Sequence, residues 1–197
     1  MLKKLGLITV CAASAFAMHN ADLNINNKDL EFGVKFDVGQ FNENVEPENI
    51  LVGAKILHAD SANSSYSSNS DMDDFLEVSG LVQAKVPEGE TIVGLGIKFN
   101  ATKNYSSVPL GLEVMQNFAF SEEFPMYARG SLYYAPEVLC QQDAKNFFEY
   151  RIEVGVQVMK NITTYLLYRM IDTNYESKSG GDINYNKSTS LGIKFAF

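Results

Sequence analysis

The sequence predicts an all-β protein, an antiparallel up-and-down transmembrane β-barrel of about ten strands, with eight as the alternative count. Three observations lead there. Segments of about ten residues alternate apolar and polar side chains and are separated by turn chemistry. The connections between them alternate between tight and long. The chain closes on SLGIKFAF, Ser190 to Phe197, in which Leu191, Ile193, Phe195 and Phe197 share one face of a strand.

Taken in order, the chain begins as a secretory signal. Lys3 and Lys4 supply the charged start, Leu5 to Ala13 the apolar run, and Ala15-Phe16-Ala17 the small-residue cleavage site. Residues 1–17 therefore read as a signal peptide and 18–197 as the barrel. Removing Lys3 and Lys4 takes the formal charge from −8 to −10, which argues against a nucleic-acid partner. Cys11 lies in the apolar run, where Val10 makes a poor lipoprotein site. With the signal removed, Cys140 is left as a single, inert loop thiol without a disulfide partner. No later stretch reaches the ~20 apolar residues that a spanning helix requires.

Ten strands are expected, at 20–26, 29–39, 48–58, 73–86, 90–100, 107–119, 124–135, 146–159, 162–172 and 187–197. Tight turns fall at Val86–Glu90, Ser121–Glu123 and Lys160–Asn161. Long links rich in Ser, Asn, Asp and Gly fall at His58–Met72, Pro136–Lys145 and Thr173–Asn186. With a periplasmic C-terminus, these three tight turns lie on the periplasmic side and these three long loops outside, as in bacterial outer-membrane barrels, with Glu43–Asn49 the one longish link left on the periplasmic side. An even strand count also returns the N-terminus to the periplasm, which is the main reason to count 20–26 as a strand.

The two faces of these strands differ in chemistry. One carries Phe32, Phe36, Val52, Ile56, Leu76, Val78, Leu95, Ile97, Leu112, Val114, Ile152, Val154 and Leu166, and is almost free of charge. The other carries the basic residues Lys35, Lys55, Lys85, Lys98, Arg129, Arg151, Arg169 and Lys194, and the acidic residues Glu31, Asp37, Glu77, Glu113, Glu149 and Glu153. Gly33, Gly53, Gly94, Gly96, Gly111, Gly155 and Gly192 share this charged face, leaving room for long side chains in a narrow lumen. A soluble barrel or sandwich would bury the apolar face, whereas a membrane barrel turns it outward to lipid. The sided loop lengths, the aromatic last strand and the aromatics near strand ends favour the membrane form. Tyr105, Phe118, Phe120, Phe124, Tyr133, Tyr134, Phe147, Phe148 and Tyr165 stand where interfacial girdles are expected.

Two resemblances add to this. The alternating, Phe-terminated tail of Leu191, Ile193, Phe195 and Phe197 resembles the signal read by the outer-membrane barrel assembly machinery. The stretches YARGSLYYAPEVL (Tyr127–Leu139) and FFEYRIEVGVQVMKNITTYLLYRMID (Phe147–Asp172) are similar to the later half of the YfaZ family. The matching features are the Tyr133-Tyr134-Ala135-Pro136 corner, the acidic pair Glu149 and Glu153, and Tyr168-Arg169. Gly94-Leu95-Gly96 and Gly192-Ile193-Lys194-Phe195 fit as well. The resemblance implies an outer-membrane location and a barrel fold, and brings no catalytic residues.

The candidate functional feature is a lumen charge lattice of Glu31, Lys35, Glu77, Lys98, Glu113, Arg129, Glu149, Arg151, Glu153, Arg169 and Lys194. It reads either as a selectivity constriction or as a plug in which every charge must be paired. A barrel of eight to ten strands leaves little free lumen, which favours the plug. The expectation is thus a non-enzymatic barrel in the bacterial outer membrane, structural or narrow and porin-like, with lipid and the assembly machinery as partners and no cofactor or metal. Two alternatives stand beside it. One is a rim hydrolase built on His58 with Asp60 and Ser61, although no known catalytic spacing is present. The other is a soluble periplasmic ligand-binding barrel. Asp71, Asp73 and Asp74 have the look of a cation loop but lack the Gly and closing Glu of an EF-hand.

Overall fold

A computed structural model describes residues 19–59, 74–103, 105–118, 124–142, 144–175 and 182–197. The signal segment 1–17, Asp60, Ser61, Asp71, Asp73, Phe120 and the Ser121–Glu123 turn lie outside the described residues.

The sequence's period-two alternation appears as a closed wall. Ten strands form it: β1 (Asn20–Ile25), β2 (Asp29–Asp37), β3 (Ile50–Ala59), β4 (Phe75–Lys85), β5 (Thr91–Ala101), β7 (Leu110–Phe118), β8 (Met126–Ala135), β10 (Ala144–Met159), β11 (Ile162–Tyr175) and β12 (Asp182–Ala196). Each is antiparallel to its neighbour. The pairing of β1 with β12, from Asn20↔Ala196 to Ile25↔Leu191, closes the sheet on itself. The short first strand is therefore real, and it removes both sheet edges over its length. At the closing seam His19 N donates to Phe197 O (3.1 Å) and Phe197 N donates to His19 O (2.8 Å), so both ends of the described chain lie together at one rim. We call this the proximal rim and the opposite one the distal rim.

Two further strands were not expected. β6 (Tyr105–Ser107) and β9 (Cys140–Gln142) pair with each other at the distal end, Tyr105↔Gln142 to Ser107↔Cys140. β6 precedes β7 past Pro109, and β9 follows β8 past Pro136 and a short 3-10 turn, Glu137–Leu139. They are continuations of wall strands beyond proline breaks, where the missing N–H interrupts the ladder. No helix among the described residues is long and apolar enough to cross a membrane.

The apolar face points outward. Leu95 (69 %), Leu191 (61 %), Leu110, Ile152, Phe32 and Ile56 are exposed around the wall. The charged face points in, with Glu31, Glu77, Glu149, Lys98 and Arg169 almost fully buried. This is the inside-out distribution of a membrane barrel, and it contradicts the soluble alternative, which needs the apolar face as its core.

The girdle expectation needs correction at four positions. Tyr105, Tyr133, Phe147 and Tyr165 point into the barrel and are 0–3 % exposed. Their register parity puts them on the charged face, because a side chain's face is set by its place in the strand, whatever its chemistry. Tyr134 and Phe124 do face outward, and the Tyr150 and Tyr168 rings pack there at a tilt, with ring centroids 5.7 Å apart.

Candidate functional site

The interior is organised in layers. Nearest the distal rim, Leu57, Phe75, Tyr105, Ala135, Ala144, Phe147 and Ile171 form a buried apolar cluster. Phe75 on β4 and Phe147 on β10 stand four places apart in a ring of ten strands, yet their rings stack at 6.2 Å. Tyr105 of β6 adds a third ring, 6.4 Å from Phe147. Aromatic side chains are long enough to bridge so small a barrel, and here they do so from opposite walls.

Below lies the charge lattice. Glu31 on β2 accepts from Arg151 Nη1 (2.9 Å) and from Arg169 Nη1 (2.6 Å). Arg151 and Arg169 are direct register neighbours on β10 and β11, so Glu31 is the anion that lets two guanidiniums stand side by side. Arg151 Nε also donates to Glu149 on its own strand. Lys98 of β5 then joins Glu149 (2.8 Å) to Glu77 (3.0 Å), and Lys55 approaches Glu77 at 3.8 Å. One connected network thus runs from β2 to β5 on one side and to β10 and β11 on the other.

The proximal half is looser. Lys194 Nζ donates to Glu153 (2.9 Å) and to Tyr127 Oη (3.1 Å), and Tyr127 donates to Glu153. Tyr133 donates to Glu113 at 2.7 Å, and Lys98 sits 4.0 Å above the Tyr133 ring. Lys35 and Arg129 have no carboxylate within 4 Å among the described residues, although Glu153 is Arg129's register neighbour. Arg129 Nη2 contacts Met115 Sδ at 3.2 Å instead.

The sequence-derived lattice is therefore brought together only in part. Glu31, Glu77, Lys98, Glu149, Arg151 and Arg169 form the network, Glu153 pairs with Lys194, and Glu113 with a tyrosine. Lys85 belongs to the rim, paired with Glu90 (3.1 Å) and exposed. Sequence reasoning missed Asp22 and Asp29, both buried inside. Adding them to the six acidic residues of that face gives eight, against seven basic ones once the rim residue Lys85 is set aside, so the interior is close to charge balance and most of the chain's negative charge lies elsewhere. Strand parity from Asn20 could have found Asp22.

The inward glycines serve tyrosine rings more than charges. A Cβ on Gly96 would collide with Tyr133 Oη, and one on Gly111 with the Tyr133 ring at Cδ1. Gly192 takes the Tyr165 ring in the same way. Between the lattice and these rings about 40 Å³ of open space remains, lined among others by Asp22, Lys35, Glu113 and Arg129. That is room for three or four waters at roughly 10–15 Å³ each.

The remaining candidates fall at the rims. His58 Nδ1 lies 2.7 Å from Asp74 Oδ1, both widely exposed and outside the lumen. Among the described residues no three His, Cys, Asp or Glu side chains are grouped to hold a metal ion. Cys140 lies in β9 rather than a loop, its thiol donating to Ala135 O (3.7 Å), and burial pushes the thiol pKa up.

No family model matches the chain, and no curated protein matches it in sequence. Among solved structures it is similar to the KdgM porin, at 9 % identity and a TM-score of 0.44, covering 91 % of this chain and 98 % of that one. A KdgM porin in complex with disordered oligogalacturonate matches at 8 % identity with the same score and coverage. A loop L8 deletion mutant of OmpT, an outer membrane protein of Vibrio cholerae, matches at 12 % identity and a TM-score of 0.33, covering 86 % of this chain and 53 % of that one.

Proposed function

We propose that the chain is a non-enzymatic outer-membrane barrel whose lumen is closed to solutes, a structural relative of porins in architecture and a plug in chemistry. The observation that carries this reading is the double bridge across the lumen. The Phe75–Phe147–Tyr105 rings span it at one level, and the Glu31–Arg151–Glu149–Lys98 network spans it at the next. A conducting pore requires sites that ions enter and leave easily. Here most of the charges are committed to one another, and the interior as a whole is close to charge balance.

The signal-like residues 1–17, the uncharged outward belt and the Phe-terminated tail support export to the outer membrane. Leu191, Ile193 and Phe195 present an apolar row on the wall, while Phe197 folds beside the His19 ring, 6.0 Å away. On this reading the assembly machinery reads the tail before the seam closes. The resemblance of Tyr127–Leu139 and Phe147–Asp172 to the YfaZ family points to the same location. The His58–Asp74 pair supports a rim hydrolase only weakly, since its exposure gives it neither a dry site nor a defined nucleophile.

Cell fractionation after export tests the membrane part. The protein is expected in the outer-membrane fraction, resistant to urea extraction, and to run faster unheated than boiled on a gel. Recovery as a soluble periplasmic protein would contradict it.

A further inference from the structure

The wall is uneven in height. β10, β11 and β12 run 16, 14 and 15 residues, while β1 and β2 run only 6 and 9. β1 ends at Ile25, opposite Leu191, so residues 186–190 of β12 continue distally with no strand beside them on that edge. The result is a notch in the distal rim above the β1–β2 turn. It measures about 240 Å³ and is lined by residues 26–29 and 186–189.

Its floor is already assembled. Asp29 Oδ2 accepts from Asn26 Nδ2 (2.8 Å) and Asn186 Nδ2 (3.0 Å) and lies 3.5 Å from Arg169 Nη2. Asn186 Oδ1 in turn accepts from Arg169 Nε at 2.9 Å. The one carboxylate in the notch is thus neutralised. Lys28 and Lys187 are exposed and take part in no ion pair among the described residues. They bring two uncommitted positive charges to the notch of an otherwise acidic chain.

What lies beneath the notch sets the kind of ligand. Ile25 (56 %), Leu30 (46 %) and Leu191 are exposed on the outward face directly below it. Along β12 the outward row passes from Lys187 and Thr189 to Leu191, Ile193 and Phe195. A cationic, amide- and hydroxyl-rich pocket therefore caps an apolar strip, the arrangement that an amphiphile fits. Lysine on a free sheet edge discourages addition of a protein strand, so the edge itself is not the attraction.

We propose that the notch binds the phosphorylated sugar headgroup of a glycolipid of the surrounding leaflet. Lys28 and Lys187 hold its phosphate, Asn27 and Thr189 meet sugar hydroxyls, and the acyl chains lie along Ile25, Leu30 and Leu191. This rests on the membrane reading given above.

The test uses the full refolded barrel in detergent micelles, with lipid retention read by native mass spectrometry. Diphosphorylated lipid A, its dephosphorylated form, and the acyl-free phosphorylated disaccharide are the probes. One molecule of diphosphorylated lipid A is expected to be retained, with the other two at least tenfold weaker. Lys28→Gln and Lys187→Gln should each weaken retention about fivefold, the scale of one lysine at a lipid phosphate. The exposed distal Lys103→Gln, outside the notch, should leave it unchanged. These lysines are in solvent, so folding is checked by gel mobility alone. Equal retention of the dephosphorylated lipid, or no loss in the double lysine variant, overturns the site. Equal binding of the acyl-free disaccharide overturns the lipid part. Fractionation decides the membrane reading independently, since micelle binding does not depend on where the cell puts the protein.

Discussion

The two halves of the lumen solve the same problem by different means. Distally, groups from opposite walls meet: Phe75 stacks on Phe147, and Glu31 reaches across to Arg151 and Arg169. Proximally, side chains mostly settle on their neighbours. Tyr127 lies on Gly155, Tyr165 on Gly192, and Lys35 and Arg129 have no carboxylate within 4 Å among the described residues. The difference teaches where closure would reside on the proposed reading. Contacts that cross the barrel tie non-adjacent strands together and stand in the path of a solute, whereas contacts along the wall only fill volume.

Substitutions can break or sharpen that contrast. Glu31→Gln should be the most damaging, because it leaves Arg151 and Arg169 side by side without their shared anion. A loss of about 3–5 kcal/mol is expected in equilibrium urea unfolding of the refolded barrel. Glu153→Gln in the proximal half, where Tyr127 and a partly solvated Lys194 remain, should cost about 1.5–3 kcal/mol. Equal losses at the two sites would erase the distinction between the halves. Phe147→Ala removes the middle ring of the aromatic bridge and should cost about 3 kcal/mol by the same assay. Gly111→Ala forces a Cβ against the Tyr133 ring and the Leu132 carbonyl, with an expected loss of about 1–3 kcal/mol. The smallest effect belongs to the rim: Lys85→Ala removes an exposed pair with Glu90 and should change stability by under about 1 kcal/mol, less still in high salt.

The wall was legible in the sequence because a strand's period of two is a local property. Alternation from Phe32 to Phe36 or from Val93 to Phe99 fixes which side faces out once one face is free of charge. The strand count, including the six-residue β1, followed from loop-length alternation and parity. The interior was less legible, since its partners are set by how the sheet closes. Nothing local to Glu31 says that it meets Arg169, 138 positions away, and Arg129 sits beside Glu153 in register without pairing with it. The aromatic bridge was misassigned for a related reason. Phe147 and Tyr105 have girdle chemistry, and only parity and the bends at Pro109 and Pro136 turn them inward. Asp22 and Asp29 escaped because the first hairpin is too short for its alternation to stand out.

Single-channel recording of the refolded barrel in planar bilayers tests the central claim most directly. The wild-type protein should give no conductance steps above baseline. The Phe75→Ala/Phe147→Ala variant should still give none or only brief small openings, because the Glu31–Arg151–Glu149–Lys98 layer lies beneath. Adding Glu149→Gln and Arg151→Gln should release stable steps. Regular, long-lived openings of the unmodified barrel would contradict a closed lumen.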